Sequence, residues 1–392
     1  MTKEIILDLA KNYFEKTLEN RRHIHKNPEL SFQEFKTSEY IISQLKEMGV
    51  VGEKYCCNSV VALIRGKVHN KIIGLRADID ALPIQEKTDF SFKSINNGVM
   101  HSCGHDAHTS SLLTTARILN DMRHELMGDV VLIFQHAEEK LPGGAQEILK
   151  AGLFERYPIK IMIGQHVQPG IPTGVYGFKP GKYMASTDEI YISFLGKGGH
   201  AAIPSERSDT VMAVAEFIIE AKNRFNKIQI KDIPAILAFG KIEANGAVNV
   251  VPELSETHGT LRCFDENQRK RAKAIIAETA EECAKKYDCK VETNIVNGYP
   301  YLHNNEKLTD SLIGFTKDLL GEDKVIPLDL RLTAEDFSYF SHRVPSVFYR
   351  MGITGNGLGN NSLHSAKFDL DEEALKTAPA VMAWLAYCLL ND

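Results

Sequence analysis

Ile72-Ile73-Gly74-Leu75-Arg76-Ala77-Asp78-Ile79-Asp80 opens as a short apolar run and ends in two carboxylates, one residue apart. An apolar run of this length fits a strand buried on both faces, inside a sheet that helices cover. Val130-Val131-Leu132-Ile133-Phe134, residues 159–163 and Val347-Phe348-Tyr349 are runs of the same kind. Between the first two runs, Leu112, Leu113, Ala116, Leu119 and Met122 recur near helical spacing, which predicts a helix over 109–122. A second helix is expected over 371–390, with Asp371, Glu372 and Glu373 favourable in its first turn and Pro379 kinking it.

The middle of the chain has another rhythm. Glu189-Ile190-Tyr191-Ile192-Ser193-Phe194 alternates, as a half-exposed strand does. Helical patterns at 209–221 and 268–286 are interleaved with strand patterns at 235–244, 261–264 and 289–296. A sheet with one exposed face and its own helices suggests a small α+β domain. The expected fold is therefore α/β: a helix-flanked mixed sheet formed by residues 1–187 and 304–392, with a smaller α+β domain inserted at 188–303.

Composition narrows the function. The 392 residues are 43% hydrophobic and 25% charged, with a net charge of −5, so nothing points to a nucleic-acid partner. The longest apolar stretch, 380–390, is about half a membrane span and reads as a core helix. The opening residues have no apolar run of signal-peptide length, so the expected compartment is the cytoplasm, with no membrane partner. Seven scattered cysteines argue against a disulfide framework, and only Cys103 sits near other ligand types in sequence.

In an α/β sheet, ligands bind beyond the carboxyl ends of the strands. Here the first strand runs into Asp78 and Asp80, the second into Gln135-His136-Ala137-Glu138-Glu139, and the third into Gly164-Gln165-His166. A fourth contribution, His101-Ser102-Cys103-Gly104-His105-Asp106-Ala107-His108, precedes a helix, and Gly104 lets a tight turn aim Cys103 and His105 at one centre. A thiolate, imidazoles and a carboxylate suit Zn, Mn, Co or Ni. Asp106 or Asp78 would accept an imidazole N–H. Taken singly, each residue has an ordinary reading as a buried cysteine, a solvated glutamate or a hydrogen-bonded histidine; their convergence at one end of a sheet is the argument. Gly177 to Lys182 lacks the spacing and hydroxyl of a phosphate loop, and Gly355 to Gly359 lacks dinucleotide-fingerprint spacing.

Over nearly its full length the chain resembles the N-acyl-amino-acid amidohydrolases, the branch of the aminoacylase and glutamate-carboxypeptidase metallopeptidases that includes hippurate hydrolases, auxin-conjugate hydrolases and N-acetyldiaminopimelate deacetylases. The resemblance rests on Arg21-Arg22-His23-Ile24-His25 with Pro28-Glu29-Leu30, on 76–83, 100–108 and 134–139, and on Gly198-Gly199-His200-Ala201-Ala202. It continues through Asn249-Val250-Val251-Pro252, Gly259-Thr260-Leu261-Arg262, Glu335-Asp336-Phe337 and His364. It implies two divalent metal ions per subunit held by Cys103, His105, Glu139, His166 and His364. Glu138 would be the general base and Asp80 the orienting carboxylate, while Asp78 stands where many relatives have a metal-binding histidine. The smaller domain would be a lid and dimer contact. His200 would reach across to a second subunit and polarise the scissile carbonyl, with Asn249 and Arg262 near the substrate.

The sequence departs from the family pattern at His136, where proline is usual, and at Ser205, where histidine is usual; His136 could itself approach the metals. The implied reaction is hydrolysis of an N-acyl amino acid (acetyl, benzoyl or related) to a free amino acid and a carboxylic acid. Alternatives are a metallo-carboxypeptidase or dipeptidase of the same fold, a hydrolase using Cys103 as nucleophile with His105 or His101, and a non-catalytic metal-stabilised binding protein.

Overall fold

The run at 72–75 grows into the strand Ile72–Asp78, buried along almost its whole length. It pairs in parallel with Asp129–Gln135 on one side and with Ile161–Pro172 on the other. Ser346–Thr354 extends the parallel centre beyond Ile161–Pro172. Val60–Ile64 runs antiparallel to Asp129–Gln135, and Tyr176–Phe178 antiparallel to Ser346–Thr354, so the sheet is mixed. The structure, a computed structural model, describes residues 2–391, and among these the sheet has eight strands.

The central strands are apolar on both faces because both faces are covered. Helices His105–Asp121 and Ala378–Asn391 pack on each other and on the sheet. Leu112, Leu113, Ala116 and Leu119 join Ile73, Leu75, Leu132, Phe134, Val381 and Leu385 in one core. Burying each such side chain contributes roughly 1.5–3 kcal/mol.

Three expectations change. The first helix begins at His105 rather than 109, because its first turn is polar and yet buried. Asp106 there accepts hydrogen bonds from Arg21 Nε at 3.0 Å and His25 Nδ1 at 2.9 Å, contacts that an apolar period does not register. The helix expected over 371–390 is two elements, a 3₁₀ turn Glu372–Lys376 and the helix Ala378–Asn391. Pro379 therefore does not kink a helix; it lies in a first turn, where no helical hydrogen bond needs its missing N–H. The third strand does not stop before His166 but runs through it, from Ile161 to Pro172. Its pairing to Ile72–Asp78 ends at Arg76↔Gly164, while Ser346–Thr354 carries it onward.

The chain divides into two compact units, one made of Met1–Gly181, His303–Asp329 and Asp336–Asp392, the other of Lys182–Leu302 and Leu330–Glu335. Compared with the expected 188–303, the second unit starts earlier and gains Leu330–Glu335. That segment is tied in by Ala185 N–H, which donates to Arg331 O at 2.9 Å and Thr333 O at 3.1 Å.

The second unit has an antiparallel sheet in the order Ile236–Glu243, Leu254–Arg262, Asp188–Leu195, Lys290–Asn297. Ile190, Ile192 and Phe194 alternate onto the buried face, against helices Thr210–Asn226 and Glu266–Lys286. Each helix starts at an aspartate: Asp209 accepts from Met212 N–H, and Asp265 from Asn267 and Gln268 N–H, both at 3.0 Å. Asp265→Ala is expected to destabilise this unit by about 1 kcal/mol, read as a lower urea midpoint with an unchanged slope. Among the described residues no helix is long and apolar enough to cross a membrane.

Candidate metal centre

The strands Asp129–Gln135 and Ile161–Pro172 flank Ile72–Asp78. Asp78 pairs with Gln135, and the register Arg76↔Gly164 puts His166 level with Asp78, so the site gathers at that level, partway along Ile161–Pro172. Asp80 lies just beyond the central strand and is 1% exposed. Its backbone carbonyl and its Oδ1 face His105 Nδ1 at 2.9 and 3.2 Å, and its Oδ2 accepts from Ser31 Oγ at 2.7 Å and Glu139 N–H at 3.0 Å. One carboxylate thus fixes both the His105 ring and the backbone of Glu139. Burial pushes the Asp80 carboxyl up, but the hydrogen bond from His105, its charge and the Glu139 N–H outweigh that and hold it below the usual range.

The Cys103 and His105 side chains come from one tight turn. Gly104 between them has φ +81°, and a Cβ there would stand 2.5 Å from Val167 Cγ2. Only glycine meets both demands. With Nδ1 of His105 turned to Asp80, its Nε2 is left buried without a hydrogen-bond partner. His166 is set in the same way: Nδ1 donates to Val167 O at 2.7 Å, and Nε2 faces Cys103 Sγ at 3.5 Å.

Ala137, at φ +48°, turns the chain after the Asp129–Gln135 strand and is held by its N–H donating to Glu34 Oε1 at 2.8 Å. A non-glycine residue in this region is uncommon and recurs at functional sites. The turn brings Glu138 and Glu139 to His105, with carboxylate oxygens and imidazole nitrogen all within 4.8 Å. Glu139 Oε1 is also buried, 3.8 Å from His105 Nε2 and 3.2 Å from His364 Nε2. His364 stands on a loop, itself at φ +62°, whose N–H donates to Ser102 O at 2.9 Å. That bond carries the ring to the site.

The structure therefore brings together donor atoms of Cys103, His105, Glu139, His166 and His364, with Glu138 beside them. A buried imidazole nitrogen without a hydrogen-bond partner, two imidazoles whose Nδ1–H groups are engaged, and a mixed S/N/O set fit a metal ion. The charge balance agrees. Burial lowers the basicity of His105, but Asp78, the hydrogen bond to Asp80 and the charges of Asp80 and Glu139 raise it to about 10. Burial, then Glu139, Glu138 and Asp78, push the Cys103 thiol well above its ordinary value. A cysteine nucleophile needs the opposite shift, whereas a cation among these carboxylates would stabilise the thiolate.

His108 and Asp78, adjacent to this cluster, form a supporting layer. Val167 N–H donates to His108 Nε2 at 2.8 Å, so Nδ1 carries the proton and donates to Asp78 Oδ1 at 2.6 Å. The other oxygen of Asp78 accepts from Arg76 Nη1 at 2.7 Å and lies 3.7 Å from His105 Nε2. Arg76 also donates to Asp336 at 2.8 Å and Gln135 at 2.9 Å, all fully buried. Asp106 accepts from Arg21 and His25, and Asp78 from His108, so neither accepts the second N–H of a proposed ligand histidine; Asp80 does so for His105 and Val167 O for His166. Sequence reading assigned no role to His108; its place three residues after His105 on a helix was the available signal.

His136 does not join the cluster. Its ring bonds Ser59 Oγ at 2.6 Å and Glu147 Oε2 at 3.0 Å. There it stands with Cys56 and Cys57, so Cys103 is not alone among potential ligands as the sequence suggested. The sequence could not show this, because Cys56 and Cys57 lie some eighty positions before His136.

In the second unit, His200 is exposed on the short strand Gly199–His200, paired with Val250–Val251. Ala202 N–H donates to its Nδ1 at 3.1 Å, leaving Nε2–H as an outward donor. Asn249 is exposed beside it, its carbonyl accepting from Ala201 N–H at 2.9 Å. Arg262 ends the strand Leu254–Arg262, partly buried, its guanidinium held below its usual pKa by burial. His200 and Asn249 lie past the Leu254 end of that strand, and nine extended residues separate the ends by on the order of 25 Å. One copy of this unit does not bring His200 and Asn249 together with Arg262.

Comparison with known proteins agrees with this architecture. Residues 74–387 match the model of peptidase family M20/M25/M40. The chain is 34% identical over 385 residues to N-acetylcysteine deacetylase of Bacillus subtilis strain 168, covering 97% of this chain and 98% of the relative. It is also 34% identical over 377 residues to thermostable carboxypeptidase 2 of Saccharolobus solfataricus, covering 95% and 94%. The crystal structure of Bacillus subtilis YxeP, a dinuclear metal-binding peptidase of the M20 family, superposes with a TM-score of 0.84 at 32% identity, covering 97% of this chain and 99% of that one. The chain belongs to the M20/M25/M40 peptidase family, and is a hydrolase of amide bonds.

Proposed function

We propose that the protein hydrolyses N-acyl amino acids with two divalent ions per subunit, held by Cys103, His105, Glu139, His166 and His364. The observation that carries this reading is the buried His105 Nε2, which has no hydrogen-bond partner, beside the buried Glu139 Oε1, which faces the His105 and His364 imidazoles, within a cluster of five convergent donors. The donor set suits Zn, Mn, Co or Ni. When bound, two such ions supply Lewis acidity that acidifies water and polarises an amide carbonyl.

The chain's own residues do the rest. Glu138, 7% exposed and beside the ligands, takes a proton from the attacking water and returns it to the leaving nitrogen. Asp80 keeps the His105 ring and the Glu139 backbone in place. His200, with Nε2–H free to donate, stabilises the oxyanion from a second copy of the chain, and Asn249 assists there. Arg262 pairs with the substrate carboxylate, which its planar fork matches; it has no hydrogen-bonded carboxylate among the described residues. The separation of His200 and Asn249 from Arg262 supports a homodimer or larger assembly in which two copies supply one site.

The likeness to N-acetylcysteine deacetylase favours an N-acyl amino acid as substrate. The likeness to carboxypeptidase 2 favours a second reading, cleavage of a peptide's C-terminal residue, which presents the same amide and carboxylate. A panel of N-acetyl, N-benzoyl and longer N-acyl amino acids beside dipeptides and tripeptides separates them. The expected result is a kcat/KM at least about tenfold higher on the acyl amino acids, a difference of roughly 1.4 kcal/mol in transition-state binding. Preference for the peptides would replace the first reading by the second.

A further inference from the structure

We propose that Cys56, Cys57, His136 and Glu147 form a second metal site, separate from the catalytic cluster, that takes a thiophilic divalent ion, Zn²⁺ by its donor set. One ligand atom from each of the four lies within 4.8 Å of the others. Glu147 Oε2 is the hub, 3.0 Å from His136 Nε2, 3.2 Å from Cys57 Sγ and 4.0 Å from Cys56 Sγ. Two sulfurs, an imidazole and a carboxylate complete a four-coordinate set of the kind Zn²⁺ prefers, with ligand types that calcium and magnesium do not favour.

The local chain is shaped for this convergence. Side chains of consecutive residues ordinarily diverge, but Cys57 sits at φ +48°, and both sulfurs turn to the same carboxylate oxygen. The turn closes through Ser59 N–H to Cys56 O at 3.1 Å and Tyr55 N–H to Ser59 O at 2.9 Å. The same turn supplies Ser59 Oγ, 2.6 Å from His136 Nδ1. The hydroxyl accepts from His136 backbone N–H and donates to Nδ1, while Nε2–H donates to Glu147 Oε2. An ion would displace the Nε2 proton, and the ring would then hold its proton on Nδ1 toward the hydroxyl, the outer-layer arrangement metal-binding histidines use.

From the other side, Gly144 begins the helix Gly144–Lys150 directly against His136: a Cβ at 144 would meet His136 O at 1.9 Å. This close approach sets the helix so that Glu147 Oε2 meets His136 Nε2. His136 is fully buried, whereas Cys57 is exposed, so an ion can enter from solvent.

Without an ion the thiols hold their protons. Burial, and then the hydrogen bond to Glu147, push Cys57 up to about 12; burial also raises Cys56. Binding would replace these two protons by the cation, so affinity should rise with pH. His136 immediately precedes the left-handed Ala137 and then Glu138 and Glu139, so the ion would brace the turn that carries the base and a catalytic ligand.

The test is native mass spectrometry of the full-length protein, purified under reductant, stripped of metal and then given excess Zn²⁺. Wild type is compared with Cys56→Ser/Cys57→Ser and with Glu147→Gln, each checked for folding by circular dichroism. The expected result is one fewer ion per chain in the double variant than in wild type, and weakened binding of that same ion in Glu147→Gln. Only the difference is read, so the outcome does not depend on how many ions the catalytic cluster holds. Equal ion counts in wild type and both variants would overturn the proposal. So would finding Cys56 and Cys57 joined as a disulfide that reductant does not open.

Discussion

Glu138→Gln is expected to lower kcat on N-acyl amino acids by about 10²–10⁴, with the metal content unchanged. The substitution keeps shape and burial but removes the group that accepts a proton. Glu138 lies within 4.8 Å of His105 and Glu139 ligand atoms, yet the five proposed ligands are complete without it. A loss in kcat with intact metal therefore separates base from ligand. Loss of metal from the variant would make Glu138 a ligand, and unchanged turnover would remove it from the mechanism. Steady-state kinetics with elemental analysis of the same preparation distinguishes all three outcomes.

Arg76→Met is expected to produce the largest loss of stability. Arg76 is fully buried between Asp78 and Asp336, donating to both and to Gln135. Methionine retains much of the side-chain volume but leaves two buried carboxylates without their shared cation. Removing one partner of a buried pair costs about 3–5 kcal/mol. Asp336 also accepts from Ala145 N–H at 2.9 Å and from Gln135, so the disturbance should spread to the helix Gly144–Lys150. The urea midpoint and melting temperature should fall together. Arg76→Met combined with Asp336→Asn should recover part of the loss, because one of the stranded charges is then gone.

The parallel centre was legible in the sequence because strand segments buried on both faces are apolar in succession, as 72–75 and 130–134 are within Ile72–Asp78 and Asp129–Gln135. The alternation at Asp188–Leu195 was legible for the opposite reason, since only one face is covered. The convergence of Cys103, His105 and Glu139 followed from their positions at strand ends and in a glycine turn.

His364 was different. It reaches Glu139 through a loop held beside Cys103 by a backbone bond to Ser102, and no side-chain pattern encodes such a bond. The start of the helix at His105 was hidden because its first turn is buried in polar contacts with Arg21 and His25 rather than apolar ones. Pro379 misled because proline breaks a helix interior but fits a first turn, and Thr377 ends one element where the next begins. The grouping of Cys56 and Cys57 with His136 and Glu147 depends on a strand pairing, Val60↔Phe134, that joins distant segments.

Everything proposed for the reaction depends on ions at the Cys103 cluster. The most direct measurement is metal stoichiometry against activity in the Cys56→Ser/Cys57→Ser background, where only that cluster is in play. The protein is stripped with chelator and titrated with Mn²⁺, Zn²⁺, Co²⁺ or Ni²⁺ while N-acyl amino acid turnover is followed. The expected result is no turnover in the stripped protein and full recovery at two ions per chain. Undiminished turnover after stripping, together with inactivation by thiol alkylation, would contradict it and return Cys103 to the role of nucleophile.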